Sequence, residues 1–321
     1  MRPQNFLRAP RIRAAAGVLA IGTLSAVAAP VLAAGESKAA VSGLKVADAS
    51  LSYNQPVEVS GTAARDQAGR SAALEFGSTR SGWRVVDTTT IASDGRYRLS
   101  ARLTRSGAVR VAVGDVSALR TGPAATATGV ERTTERPVSV KARLRLVARE
   151  LDVLPGRTGR AAGYVLPGRA GRVVRLERLD DRGWRTIDVD RTDTRGRYDL
   201  RAQRGKVGSR YVRVTFVGDR TNARTVQRIG TLRSFRESFA SRYDIYGGAL
   251  GCGGTLGYDS MVVAHKSLPC GTRLTVHYRG RTANAVVRDR GPYVGGREFD
   301  LAGAVARKLG FDGIGTIYVT A

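Results

Sequence analysis

The chain has 321 residues, with 53 Lys+Arg against 27 Asp+Glu and a formal net charge of +26. That length suits two or three domains, and so basic a balance implies attraction to polyanions. Two Cys and two His, without the spacing of a zinc site, set metal binding aside, and no cofactor is implied.

Arg2, Arg8, Arg11 and Arg13 precede an apolar and small run over residues 14–29, and Val31-Leu32-Ala33 ends in a small residue. This pattern reads as a secretory signal peptide over residues 1–33. The run is short and rich in Ala and Gly for a stable span. No later segment is apolar enough to cross a membrane, so no span is expected after cleavage. The first Cys is Cys252, which leaves no thiol for lipid attachment after the leader. Export, with no aromatic-rich basic motif, sets nucleic acid aside as a partner. Residues 234–321 hold eleven basic and seven acidic side chains, so most of the excess charge lies before them. Anionic cell-wall polymers would therefore meet the basic N-terminal region. Only six of the 53 basic residues are Lys, which fits codon bias of a GC-rich genome equally well.

Residues 34–50 read as a linker. Two copies of one β module follow, expected over 51–121 and 138–230 with a Gly/Pro/Thr/Ala linker at 121–137. Trp83 matches Trp184, and Gly95-Arg96-Tyr97 matches Gly196-Arg197-Tyr198. Gly61 and Gly163 open each unit. Tyr97, Leu99 and Ala101 alternate, as do Tyr198, Leu200 and Ala202, which places each set on one face of a strand. Short strands at this spacing suit immunoglobulin-like β-sandwiches of about 100 residues. The Trp and Tyr are expected in their cores. A step at 231–236 leads to the last domain, expected over 236–321.

That domain carries Ala240-Ser241-Arg242-Tyr243, then Cys252-Gly253-Gly254, then Ala264-His265-Lys266-Ser267-Leu268-Pro269-Cys270-Gly271-Thr272. Asp289-Arg290-Gly291-Pro292 and Asp300-Leu301 follow. Cys252 and Cys270, in an exported chain, read as a disulfide. Residues 274–278 read as a strand, Arg279-Gly280 as a turn and 283–287 as the returning strand. Residues 300–310 read as a short helix with Asp300 as N-cap and Gly310 as its stop. Residues 316–320 read as the closing strand.

These blocks in this order resemble the double-psi β-barrel of the RlpA (rare lipoprotein A) family, which has lytic transglycosylase members. The resemblance covers roughly the last quarter of the chain. It implies a six-stranded double-psi barrel there, so that with the two repeats the expected fold is mainly β: two tandem immunoglobulin-like sandwiches followed by the barrel. It also implies action on peptidoglycan glycan strands, where a carboxyl group protonates the glycosidic oxygen and then takes a proton from the muramyl 6-hydroxyl. The family places its acids at a Glu after the first motif and at the Asp of Asp-Arg-Gly-Pro. Here these positions are Gly254 and Asp289. Other double-psi barrel lytic transglycosylases, of the MltA type, work with one Asp, in a segment similar to Phe299-Asp300-Leu301. Expansins keep acids similar to Asp289 and Asp300 and loosen polysaccharide without hydrolysis. Asp289 and Asp300 are therefore the expected acid/base pair. His265, Lys266, Arg290, Tyr258 and Tyr293 are the expected substrate contacts. The other reading is a non-catalytic, expansin-like wall-binding protein, motivated by Gly254.

Overall fold

The computed structural model describes residues 41–114, 130–203 and 205–321. The expected leader, residues 34–40 and residues 121–129 of the expected linker lie outside these ranges. Among the described residues, no helix is long and apolar enough to cross a membrane.

The first repeat contains β1 (Val41–Val46), β2 (Ser50–Leu51), β3 (Pro56–Ala63), β4 (Ser71–Ser78), β5 (Gly82–Thr90), β6 (Arg96–Arg102), β7 (Gly107–Gly114), β8 (Glu131–Arg132) and β9 (Arg136–Val140). Its sheets run β1-β3-β6 and β2-β9-β7-β4-β5, with β8 pairing on β7. Strands thus form where linkers were expected, β8 among them. β1 lies in 34–50 and pairs antiparallel with β3. β9 spans the end of the second linker and pairs with both β2 and β7. Each buries few residues against the sandwich, Val41 and Leu44 from β1 and Val138 and Val140 from β9, so neither shows a long apolar pattern.

The second repeat contains β10 (Arg143–Glu150), β11 (Asp152–Val153), β12 (Gly159–Leu166), β13 (Val173–Asp180), β14 (Gly183–Arg191), β15 (Arg197–Ala202), β16 (Gly208–Phe216) and β17 (Thr225–Ser234). Its sheets, β10-β12-β15 and β11-β17-β16-β13-β14, repeat the first plan. Both are immunoglobulin-like sandwiches by strand order. The repeats are joined by backbone pairing and by buried Asn222, whose Nδ2 donates to the Thr104 carbonyl at 2.9 Å.

Tyr97 and Tyr198 sit in the cores, 3% and 1% exposed. Each lies opposite a glycine, Gly61 and Gly163, on the neighbouring strand. A Cβ on Gly163 would lie 2.7 Å from Tyr198 Oη and 2.1 Å from the Arg145 carbonyl oxygen. The glycine leaves the room that the ring fills. Gly163→Ala is expected to destabilise by about 1–3 kcal/mol through overpacking, read as a lowered denaturant midpoint. An unchanged midpoint would show that the ring and strand yield freely.

The tryptophans correct an expectation. Trp83 and Trp184 are half-buried on an outer sheet face, not between the sheets. Arg110 stacks on Trp83 at 3.9 Å and Arg213 on Trp184 at 4.1 Å. The same arginines donate to Glu75 and Glu177 at 2.5 and 2.6 Å. One stacked Trp–Arg–Glu unit is thus duplicated with the repeat.

Only Phe235, fully buried, separates β17 from the last domain. So most of the expected step at 231–236 is strand. The domain holds β18 (Arg236–Tyr243), β19 (Val262–His265), β20 (Arg273–Tyr278), β21 (Arg281–Asp289), β22 (Phe299–Ala302), α1 (Gly303–Leu309) and β23 (Ile314–Val319). The six strands close as β18-β22-β19-β21-β20-β23 around Val263, Phe299, Leu301 and Ile317. Two parallel pairs, β18 with β22 and β19 with β21, lie within an otherwise antiparallel ring. The turn at Arg279-Gly280 has positive φ at both residues, as a tight hairpin requires. Gly310 ends α1 in the left-handed conformation, as expected. Asp300 does not cap the helix. It lies within β22, and Ala302 is the N-cap, with no side-chain cap.

Candidate functional site

Register brings the two expected acids together. Ala264 on β19 pairs with Asp289 of β21 on one side and with Asp300 of β22 on the other. The two Asp residues are therefore two strand spacings apart, about 10 Å between Cα atoms. Their side chains share one face of the barrel wall. Ser241 on β18 pairs with Asp300 and donates its Oγ–H to Asp300 Oδ1. Both Asp side chains are half-buried.

Asp289 Oδ1 accepts two backbone N–H groups, from Gly251 at 2.8 Å and Arg290 at 2.8 Å. These bonds fix its rotamer and tie the loop 250–256 to β21. Gly251 must come this close, since a Cβ there would lie 2.7 Å from Arg290 Cγ. Gly254, at the family's Glu position, has φ +83°. A Glu there would be strained as well as absent. Asp259, the nearest acid in sequence, is 93% exposed and sits 3.6 Å from Arg307.

The sequence reading missed Tyr243. It lies two residues beyond Ser241 on β18, on the same strand face, so it is a diagonal neighbour of Asp300. It packs with Leu250, Leu256, Val262 and Ala302. Its Oη is buried and has no partner in hydrogen-bonding geometry. Burial first, then the nearby Asp289 and Asp300 carboxylates, push its ionisation well above the usual phenol range. The phenol is a neutral donor beside two carboxyl groups.

Two expected contacts serve the loops instead. His265 Nδ1 accepts from the Ser267 and Leu268 N–H groups at 3.1 and 2.9 Å. This places the ring proton on Nε2, which donates to Glu298 Oε1 at 3.3 Å. Both ring nitrogens of this buried His are used. The Arg290 guanidinium donates to the His265 and Leu268 carbonyls at 3.0 and 2.9 Å and to Cys270 Sγ at 2.8 Å. Cys252 and Cys270 form the expected disulfide, across 18 residues of sequence. Loops 250–256 and 265–272 are thus clamped around Asp289.

Lys266 is exposed. Tyr293 is 81% exposed on the loop after Gly291. Tyr258 is 61% exposed, but the Arg307 guanidinium covers its ring at 3.8 Å and Tyr246 lies against it. The described residues hold no group of three or more His, Cys, Asp or Glu able to bind a metal ion.

Glu298 was also missed. Arg236 binds it through both Nη atoms, at 2.8 and 2.5 Å, and Ser238 Oγ donates at 2.7 Å. The Arg236 bond first, with Ser238 and His265, lowers its pKa from 4.5 to about 2. Its folded pKa is depressed, so its stabilisation is full above pH 4.5 and is lost as pH falls towards 2. Unfolding followed from pH 5 to 2 should show a steeper loss for the native chain than for Glu298→Gln. Equal slopes would contradict this assignment.

The lytic transglycolase family of double-psi barrels matches residues 238–321. Those residues form an RlpA-like double-psi β-barrel. The RlpA-like barrel is 34% identical over 100 residues to "Endolytic peptidoglycan transglycosylase RlpA" of Pseudomonas aeruginosa, covering 30% of this chain and 28% of that protein. It is 32% identical over 99 residues to "Probable endolytic peptidoglycan transglycosylase RlpA" of Synechocystis sp., covering 29% and 31%. The chain thus spans less than a third of the length of these relatives. Among solved structures, a tetra-tandem repeat in the extending region of a large adhesion protein is 15% identical with TM-score 0.31, over 79% of this chain and 65% of that one. The D0-D1 domain of intimin is 11% identical with TM-score 0.23, over 58% and 97%. At such scores the likeness carries no argument, and the sandwich assignment rests on strand order.

Proposed function

We propose that this is an exported cell-wall protein whose RlpA-like barrel cleaves peptidoglycan glycan strands as a lytic transglycosylase. The observation that carries it is the pairing of Asp289 and Asp300 on either side of Ala264, open to solvent and bordered by Tyr243. In this reading one carboxylic acid protonates the oxygen leaving C1 of the muramyl residue. The resulting carboxylate takes the proton from the muramyl 6-hydroxyl as its oxygen bonds to C1. The C1–O glycosidic bond breaks, a 1,6-anhydro ring forms, and no water is consumed. One group both gives and regains the proton. Asp289, held by two N–H groups, is the better-oriented candidate; Asp300 shapes the other side. Lys266 and Tyr293 stand free at the rim for muramyl carboxylates and sugar faces. The basic repeats draw the protein to anionic wall polymers.

Gly254 favours a second reading, a barrel that grips glycan strands without cutting them. Incubation of purified protein with insoluble peptidoglycan separates the two. Soluble muropeptides support the enzyme. Co-sedimentation with no soluble product supports the binding protein.

A further inference from the structure

The two repeats share one framework, so their differences show where the second has been given something of its own. In the first, Phe76 pairs with Arg84 and Val109. In the second, Arg178 pairs with Arg185 and Val212. Arg178 therefore stands where Phe76 stands. By the same register Arg210 replaces Gly107 and Tyr211 replaces Ala108. Phe76 is 1% exposed and fills its end of the sheet, where a Cβ on Gly107 would lie 2.8 Å from its ring. In the second repeat this end is open.

The opening is a cleft in two connected parts. One part, of about 610 Å³, is lined by Arg182, Arg185, Lys206 and Arg210 beside Trp184. The other, of about 820 Å³, runs between Arg210 and Tyr211 and the barrel residues Arg273–Val286. Asp180, Asp181 and Arg210 line both. Arg182, Arg185, Lys206, Arg210 and Arg273 are all exposed. Among the described residues none of the five has a carboxylate within ion-pair distance. Asp180 is already held by Arg178, at 2.7 Å, which leaves Asp181 as the single uncommitted acid of the cleft. A junction of one buried residue, Phe235, holds the barrel side in place.

We infer that this cleft binds a linear polyanion, a chain carrying repeated phosphate or carboxylate groups, beside the barrel. Four of the five free cations are Arg, whose planar fork matches both oxyanions. Cations in excess over the two acids of the cleft, Asp180 and Asp181, raise its potential and concentrate an anionic chain there. Arg185 has a counterpart in Arg84, but Arg178 and Arg210 stand where the first repeat has a buried Phe and a Gly, so the second repeat gains two cations at this one end. The inference rests on the reading that the basic region meets anionic wall polymers, and it gives that contact a place.

The test is binding of inorganic polyphosphate and of polygalacturonate to the purified chain at about physiological salt, where surface charges beyond about 8 Å are screened. Arg182→Glu with Arg210→Glu changes the cleft. Arg143→Glu with Arg145→Glu makes the same net change on exposed β10 of the same repeat. The cleft pair is expected to weaken binding at least about tenfold, and the control pair less than about threefold. Binding of polyphosphate alone would assign the cleft to phosphate-bearing chains; binding of both would assign it to oxyanion chains generally. Equal loss in the two pairs would overturn the cleft while leaving general attraction to polyanions intact. No binding by the unaltered protein would overturn both.

Discussion

Asp289→Asn should lower the rate of muropeptide release by about 10²–10⁴-fold, the range of a lost general acid/base. Asn keeps an oxygen at Oδ1, so the bonds from the Gly251 and Arg290 N–H groups survive. What is lost is an ionisable proton. If Asp289 only braced the turn before Gly291-Pro292, Asn would brace it equally and the rate would hold. Initial rates on insoluble peptidoglycan, with co-sedimentation measured in parallel, decide between these outcomes. Unchanged sedimentation with a collapsed rate places the residue in chemistry. An unchanged rate removes it from the mechanism. Asp300→Asn should cost less, because its Ser241 bond and strand position persist and it is not the better-held acid.

The second large effect concerns the clamp. Replacing Cys252 and Cys270 together by Ala should destabilise the barrel by about 3 kcal/mol, the loop-closure value for a bridge of this length. The effect should reach the site as well. Cys252 donates its backbone N–H to Arg288, next to Asp289, at 3.1 Å, and Cys270 Sγ accepts from Arg290. Loosening either loop frees the Gly251 N–H that orients Asp289. Denaturant unfolding of the double variant should therefore show a lower midpoint, and its product release should fall further than stability alone explains. A midpoint equal to that of the native chain would mean that hydrogen bonds hold the loops unaided.

Much of the fold was legible because its signals are local. The Tyr-x-Leu-x-Ala alternation follows the strand period, and both tyrosines are core residues. Gly310 and Arg279-Gly280 also announced their turns. Failures came where distant partners decide. Asp300 precedes a helical-looking run, yet Phe299–Ala302 is claimed by β18 and β19, whose pairing residues lie 34 or more positions away. Beyond the strand, only seven residues are left for the helix. Residues 41–46 look like a linker until β3 supplies a partner.

The site divides in the same way. Asp289 and the cysteines were readable from their motifs. The motifs suggest His265 and Arg290 as substrate contacts, whereas the groups they bind in the fold are loop backbone atoms and Glu298, 33 residues from His265. Tyr243 had a signal in the Ala-Ser-Arg-Tyr opening. Its place beside both carboxyl groups emerges only when β18 pairs with β22 and loop 250–256 folds over it. Trp83 and Trp184 were misplaced because hydrophobicity alone assigns them to the core, whereas an Arg held by a Glu can cover an indole on an outer face.

The most direct test of the central claim is digestion of insoluble peptidoglycan by the purified protein in water enriched in oxygen-18, with the soluble products read by mass. Intramolecular attack by the muramyl 6-hydroxyl predicts 1,6-anhydro ends that carry no solvent oxygen. Reducing ends labelled with solvent oxygen, or no soluble product at all, would contradict a lytic transglycosylase built on Asp289 and Asp300.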